Sequence, residues 1–197
     1  MSRLLVIDTE TGGLDPAVHS ILSLGATVYP YAPGDPEFSV LVKETPFVVD
    51  AGALGVNKIS LVEHHAGADD PAAAWFKFMD FVQTVSNLER LFGKFVLAGH
   101  NVPFDIGFLR RLHRLAGDTR PFDSLFSHRF EDTMTIGRFL ARCGAPIKRF
   151  GLADLLEFFG LKNEAAHTAL ADARATAQLY GAMIESTSLN IRKKEVA

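Results

Sequence analysis

Two carboxylates stand two residues apart near the amino terminus, directly after the apolar run Leu4–Ile7. The run is typical of a buried strand, which we expect to end in Asp8. Side chains two apart on an extended chain point to one face, so Asp8 and Glu10 can converge while Thr9 faces away. Neighbouring carboxylates stay ionised only if a cation offsets their charge, which favours a Mg²⁺ or Mn²⁺ site. A solvated turn is the commoner interpretation of this tripeptide taken alone.

Three further polar residues stand where predicted strands meet predicted helices. Asp105 lies in the first turn of the helix that follows a strand at residues 94–98, where the helix dipole favours an anion. His167 and Asp172 lie at the start of an Ala-rich helix and could face the same place. Taken singly, each has a plainer interpretation: helix-cap electrostatics for Asp105, and solvated surface groups for His167 and Asp172.

Together the four carboxylates and the histidine match the needs of phosphodiester hydrolysis. Two divalent ions roughly 4 Å apart can clamp the attacking and leaving oxygens, and several carboxylates are needed to hold them. A histidine with a pKa near ~6.5 can accept the proton of the attacking water at neutral pH. We therefore expect these five residues to form one site.

The elements that must position this site alternate between strands and helices. Besides the first strand, we expect strands at residues 20–29, 38–42 and 94–98, the second and third antiparallel because their loop is short. We expect helices at residues 71–85, from about 103, at 134–141, 152–159 and 168–184. Residues 46–67 should contain a short helix and a turn, and residues 122–130 show no clear pattern.

Composition limits the kinds of protein that the chain can be. A length of 197 residues fits one domain, and a formal net charge of -3 argues against wrapping long duplexes by charge alone. The single cysteine, Cys143, excludes an internal disulfide. Neither a leader segment nor an apolar run of membrane length is present, so we expect a cytoplasmic protein without membrane contact.

Three motifs in order resemble the DEDDh family of 3′→5′ exonucleases, which includes proofreading exonuclease subunits, ribonuclease T and oligoribonuclease. They are IDTETG at residues 7–12, HNVPFD at 100–105 and HTALADA at 167–173. Between them stand similar landmarks: ILSLGA at 21–26, Asp132-Thr133 and LADL at 152–155. The resemblance covers residues 4 to about 184, and three motifs in this order are far more specific than any one.

The resemblance implies an α/β, RNase H-like fold. Its mixed five-stranded sheet would have three antiparallel strands, then two parallel ones, flanked by helices. Residues 1–185 would form the exonuclease domain and residues 186–197 a flexible tail.

The resemblance also implies roles for individual residues. Two Mg²⁺ or Mn²⁺ ions would be held by four carboxylates: Asp8, which would bridge both ions, Glu10, Asp105 and Asp172. His167 would be the general base. The 3′-terminal nucleotide would meet a pocket formed by Thr9, Thr11 and Leu14 and braced by Asn101 and Phe104. His100 and Asp132 would have supporting roles.

The chain departs from many relatives at Asn57-Lys58, where they carry His-Gly, so Asn57 is expected to contact substrate more weakly.

The expected partner is the 3′ end of single-stranded DNA or RNA. A DNA polymerase carrying this chain as a subunit is a second candidate, made less favourable by the short segment after the last helix. The remaining alternatives are a non-catalytic nucleic-acid or protein-binding module and an enzyme restricted to short oligoribonucleotides. DNA or RNA preference and oligomeric state are not predicted.

Overall fold

A five-stranded mixed sheet forms the centre of the chain in a computed structural model that describes residues 4–57, 60–89, 93–163 and 168–195. The strands lie in the order β3-β2-β1-β4-β5. Their bounds are β1 Leu4–Thr11, β2 Ile21–Tyr29, β3 Phe38–Leu41, β4 Phe95–Gly99 and β5 Phe126–Asp132. The first three are antiparallel, whereas β4 pairs in parallel with both β1 and β5. This confirms the predicted sheet.

Eight helices connect or flank these strands in the described part of the chain. They are α1 Ala51–Asn57, α2 Leu61–Gly67, α3 Pro71–Glu89, α4 Val102–Leu115, α5 Phe122–Leu125, α6 Thr133–Arg142, α7 Leu152–Phe158 and α8 Ala169–Glu195. Residues 122–130, which show no clear sequence pattern, hold the short α5 and most of β5. The segment at residues 46–67 holds two helices where the sequence predicts one.

Alternation along β1 divides the molecule into two layers. Leu5 and Ile7 belong to a core that includes the buried aromatics Trp75 and Phe108, on the side of α3 and α4. Leu4 and Val6 face the other way, and their cluster includes Ala177 of α8. Because both faces are covered, the strand reads as a continuous apolar run rather than an alternating one.

Two predicted boundaries differ from the structure. β1 does not end in Asp8 but continues to Thr11, because its pairing with β2 extends to Thr11 opposite Ile21. Helix α8 continues to Glu195, beyond its predicted end near residue 184. No glycine or proline follows Gly181 to interrupt that helix. The division into an exonuclease domain at residues 1–185 and a tail at 186–197 stays a prediction. Among the described residues, no helix is both long and apolar enough to span a bilayer.

Candidate active site

The alternation of β1 decides where each residue of the first motif points. Asp8 and Glu10 continue the face of Leu4 and Val6, toward α8, while Thr9 shares the face of Leu5 and Ile7, toward α4. The expectation that Thr9 turns away from the two carboxylates therefore agrees with the register.

The strand β1 loses one of its neighbours just before Asp8. Its parallel pairing with β4 ends at Val6 opposite Ala98, whereas its antiparallel pairing with β2 continues past Asp8. Asp8 therefore lies at the carboxyl edge of the parallel strands, the position at which open α/β sheets bind ligands.

Gly25 of β2 brings α8 to this edge. It pairs with Asp8 in the β1–β2 register. A β-carbon at Gly25 would lie 2.2 Å from backbone atoms of Ala169 and Leu170, so only glycine allows this approach. Asp172 follows in the first turn of α8. Gly25 belongs to the ILSLGA landmark, but no local sequence pattern predicts its contact with α8.

Three of the four predicted metal ligands meet as a group at this edge. Asp8, Glu10 and Asp172 each offer an oxygen, and these oxygens lie within 4.8 Å of one another. The Asn163 side-chain amide donates a hydrogen bond of 2.5 Å to Oδ1 of Asp172. Clustered carboxylate oxygens are the donors that hard divalent cations prefer, so the residues fit a Mg²⁺ or Mn²⁺ ion.

Asp105, the fourth predicted ligand, approaches from α4 and is buried. Its Oδ1 accepts hydrogen bonds from the Thr9 backbone N–H (2.9 Å) and the Thr9 hydroxyl (2.8 Å). Asp105 is not one of the three clustered ligands, but its charge raises the pKa of Asp8. A cation bound by the three would therefore be attracted by four carboxylates.

Burial and mutual repulsion raise the pKa values of these carboxyl groups. The pKa of Asp8 lies well above its ordinary value because of burial first, then the charges of Asp105, Asp172 and Glu10. Burial and the charge of Asp172 raise the pKa of Glu10 to about 7. Burial also raises the pKa of Asp105 to about 7, although the hydrogen bonds from Thr9 oppose the shift. A bound cation would relieve this repulsion and favour the ionised forms.

A pocket of about 740 Å³ opens beside the carboxylates. Four residues that the resemblance assigned to substrate binding line it: Thr9, Thr11, Leu14 and Phe104. Leu14 is 84% exposed, an unusual state for a leucine. Residues 50–53 also line the pocket. No sequence pattern predicted them, because the segment contains no recognisable motif. Asn101 is not among the lining residues.

A buried ion pair, also missed from the sequence, supports the loop that carries Leu14. The Arg111 guanidinium donates hydrogen bonds to the Glu44 carboxylate from two nitrogens, Nε to Oε1 at 2.9 Å and Nη2 to Oε2 at 2.6 Å. Arg111 Nη1 donates to the carbonyl of Pro16, and the backbone N–H of Ile21 donates to Glu44. Arg111 and Glu44 lie 67 positions apart in the sequence, so no local pattern predicts their pairing. This Arg111–Glu44 clamp ties α4 to the middle of the β1–β2 connection at Pro16 and to the start of β2 at Ile21.

His100 and Asp132 hold neighbouring backbone, as predicted. The His100 imidazole contacts the Thr133 hydroxyl through Nδ1 and the Phe150 carbonyl through Nε2, both at 2.9 Å. Asp132 caps α6 and accepts a hydrogen bond from the Asn101 N–H. Asn101 itself has a positive φ of 63°. Their contacts are with protein groups at the turn into α4.

Two predicted site residues are not placed. His167, the predicted general base, lies outside the described residues. Asn57 ends α1, but its side chain lies outside the description as well. Their roles stay predictions.

Known proteins are similar to this chain over nearly its whole length. The family model RNase_T, described as Exonuclease, matches residues 5–180. The DNA polymerase III subunit epsilon of Treponema pallidum is 29% identical over 177 residues, which cover 90% of this chain and 74% of that protein. A bifunctional exonuclease/endonuclease protein of Mycobacterium tuberculosis is 40% identical over 94 residues, which cover 47% of this chain but 14% of that protein.

Among solved structures, E. coli exonuclease I in complex with a dA16 oligonucleotide superimposes with a TM-score of 0.74 at 20% identity. The match covers 94% of this chain and 41% of exonuclease I. This likeness shows the fold, which is RNase H-like as predicted. The chain thus spans well under half of exonuclease I and a small part of the M. tuberculosis relative.

Proposed function

The chain belongs to the RNase_T exonuclease family, and on this premise we propose that it hydrolyses phosphodiester bonds at the 3′ end of single-stranded DNA or RNA, releasing nucleoside 5′-monophosphates. The observation that carries the proposal is the convergence of Asp8, Glu10 and Asp172 within 4.8 Å, with Asp105 close behind. Its chemistry fits a divalent metal site better than a surface acidic patch, because burial would otherwise oppose ionisation of these groups.

In this proposal Asp8, Glu10, Asp105 and Asp172 would hold two Mg²⁺ or Mn²⁺ ions. Bound there, the ions would supply the charge that stabilises the attacking and leaving oxygens. The chain's own contribution is to fix the carboxylates: Asn163 orients Asp172, and Thr9 orients Asp105. Precise placement matters because metal-assisted displacement requires the attacking and leaving groups to be in line.

The proposed acceptor of the water proton is His167. His167 opens the HTALADA motif that also contains Asp172, and the resemblance assigns it this role. In a His167→Ala variant we expect a strongly lowered rate with metal binding retained. A pH–rate profile identical to that of the wild-type protein would contradict the general-base role.

The 740 Å³ pocket is the proposed site of the 3′-terminal nucleotide. It adjoins Glu10, and its walls combine the apolar Leu14 and Phe104 with Asp50 and the small residues 51–53. Apolar and aromatic walls suit a base or sugar, which has little charge to pair.

The test is digestion of 5′-labelled single-stranded DNA and RNA oligomers of matched sequence in Mg²⁺, Mn²⁺ or EDTA. We expect a ladder that shortens from the 3′ end and disappears in EDTA, and the faster polymer identifies the preferred sugar. Degradation of dinucleotides but of no longer oligomer would instead support the short-oligoribonucleotide enzyme. No degradation, with binding retained, would support the non-catalytic module.

A DNA polymerase partner stays a prediction, motivated by the relative named DNA polymerase III subunit epsilon. Co-elution of the purified chain with a polymerase catalytic subunit from the same organism, on size-exclusion chromatography, would support it. Separate elution at micromolar concentrations of both would count against a stable complex.

A further inference from the structure

A basic, exposed surface is formed by α6 and the segment that follows it. Between Thr133 and Phe150 the sequence holds four basic residues and no acidic one, although the whole chain has 20 basic and 23 acidic residues. We define the basic face as these four exposed residues: Arg138, Arg142, Lys148 and Arg149.

The basic face spans α6 and the segment that precedes α7. The Arg138 guanidinium lies 5.9 Å from the centre of the Phe150 ring, next to Arg149. Lys148 and Arg149 line a groove that also includes Asp154 and Glu157, and Arg149 is paired with Asp154 at 2.9 Å. The other three basic residues form no ion pair with a described residue. On α6 itself, Phe139 is 62% exposed.

Hydrogen bonds attach this face to the turn between β4 and α4. Nε2 of His100, in that turn, contacts the Phe150 carbonyl at 2.9 Å. Asp132, which caps α6, accepts a 2.7 Å hydrogen bond from the Asn101 N–H. Because α4 begins with Asp105 in its first turn, the basic face adjoins the carboxylates from the side of β4 and β5.

The pocket lies toward the β1–β2 connection. Its lining comes from β1, the loop after β1, residues 50–53 and Phe104. In the strand order, β1 with Asp8 and Glu10 lies between β2 and the pair β4 and β5, on whose side the basic face is attached. A strand with its last nucleotide in the pocket and its terminal phosphodiester at the carboxylates would continue toward the basic face.

We propose that the basic face binds the phosphate backbone of a single-stranded nucleic acid on the 5′ side of the bond that is cut. The inference rests on the proposed function, since that function places the 3′ end in the pocket. Basic side chains with an exposed aromatic neighbour are the combination that holds single strands without reading sequence. The formal net charge of -3 makes a local basic surface more important for binding a polyanion, because the chain as a whole is acidic.

The test compares two variants that each remove one arginine and one lysine. Arg138→Gln/Lys148→Gln alters the basic face. Arg114→Gln/Lys43→Gln removes the same charges from exposed positions at the end of α4 and after β3. On a long single-stranded DNA oligomer, we expect kcat/KM of the first variant to fall about tenfold at low salt, and that of the control to stay near the wild-type value. On a dinucleotide, which cannot reach the basic face, neither variant should differ from wild type.

Binding of the same long oligomer in EDTA, followed by fluorescence anisotropy, gives a second measurement independent of hydrolysis. Loss of two phosphate contacts should reduce the slope of log Kd against log salt concentration by about 1.4 in the Arg138/Lys148 variant only. An unchanged slope, an equal loss on the dinucleotide, or an equal effect in the control would overturn the proposal, as would absence of oligomer binding by the wild-type protein. Binding with the expected slope change but without hydrolysis would instead refute the proposed exonuclease function and leave the basic face supported.

Discussion

Two buried acidic sites lie near the β1–β2 connection, and α4 contributes to both. At the Arg111–Glu44 clamp, a buried carboxylate has a permanent partner, and its side chain is only 2% exposed. At the group of Asp8, Glu10 and Asp172, three carboxylates lie close to one another, and their neighbour Asp105 adds another negative charge. Glu44 thus lies against a cation of the same chain, whereas the carboxylates of the acidic group raise the pKa of one another. The first arrangement favours an ionised carboxylate by itself, and the second favours either protonation or a bound cation.

Loss of one carboxylate from the acidic group should have the largest effect, and it should fall on activity. For Asp8→Asn we expect kcat to fall by at least ~10⁴-fold, about 5 kcal/mol in activation free energy, because the proposed metal site would lose one of its carboxylate ligands. Folding stability should be unchanged or higher, since repulsion among the carboxylates is relieved. The measurements are single-turnover digestion and urea unfolding.

Asp132→Asn is the matched control for this change. It also neutralises a carboxylate at the same sheet edge, but asparagine is a good helix cap and should keep α6 in place. The control should retain most of the activity. Full activity in Asp8→Asn, or equal losses in both variants, would refute the assignment of Asp8 to the metal site.

Breaking the clamp should act on stability instead. Arg111→Met leaves Glu44 buried without its cation, and we expect the free energy of unfolding to fall by about 3–5 kcal/mol. Arg110→Met, next along α4, breaks the exposed pair with Asp123 and should cost no more than ~1 kcal/mol. Denaturant unfolding of both variants makes the comparison, and similar losses in the two would show that burial of the clamp is energetically unimportant.

The stability of the metal-free protein should fall as pH rises through about 7. The folded-state pKa values of Glu10 and Asp105 lie above their unfolded-state values. Their contribution is therefore favourable while they are protonated and is lost as they ionise. Between about pH 5 and pH 8 we expect a loss of roughly 1–3 kcal/mol in EDTA, with Mg²⁺ or Mn²⁺ reversing it.

The Asp172→Asn variant tests the cause of this pH dependence, because it removes the charge that helps to raise the pKa of Glu10. In that variant the dependence of unfolding free energy on pH should be weaker. A wild-type protein whose stability is flat over this pH range would contradict the raised pKa values.

The smallest effect is expected where Thr9 supports Asp105. Thr9→Val keeps the shape of the side chain but removes the 2.8 Å hydrogen bond to the carboxylate, and we expect a loss of about 1 kcal/mol in unfolding free energy near pH 8. Thr9→Ser keeps the hydroxyl and should lose less. A larger loss in Thr9→Ser than in Thr9→Val would mean that the methyl group, not the hydrogen bond, matters at this position.

Much of the site could be predicted because its signals are local. The spacing of Asp8 and Glu10 on one strand determines their common face, and the motif order around Asp105 and Asp172 identified the family and with it the sheet. The position of Asp105 in the first turn of α4 also followed from the Pro-containing turn before it. These features depend on residues within a few positions of one another.

Other features depend on residues that meet only after folding. The sequence by itself determined the chemistry: which carboxylates are available, which face of β1 they share, and which family the chain resembles. Only the tertiary structure decided that α8 approaches at Gly25, that Arg111 reaches Glu44 across 67 positions, and that residues 50–53 close the pocket. The physical reason is that strand alternation and helix capping are set by neighbours in the chain, whereas close packing and charge pairing are set by neighbours in space.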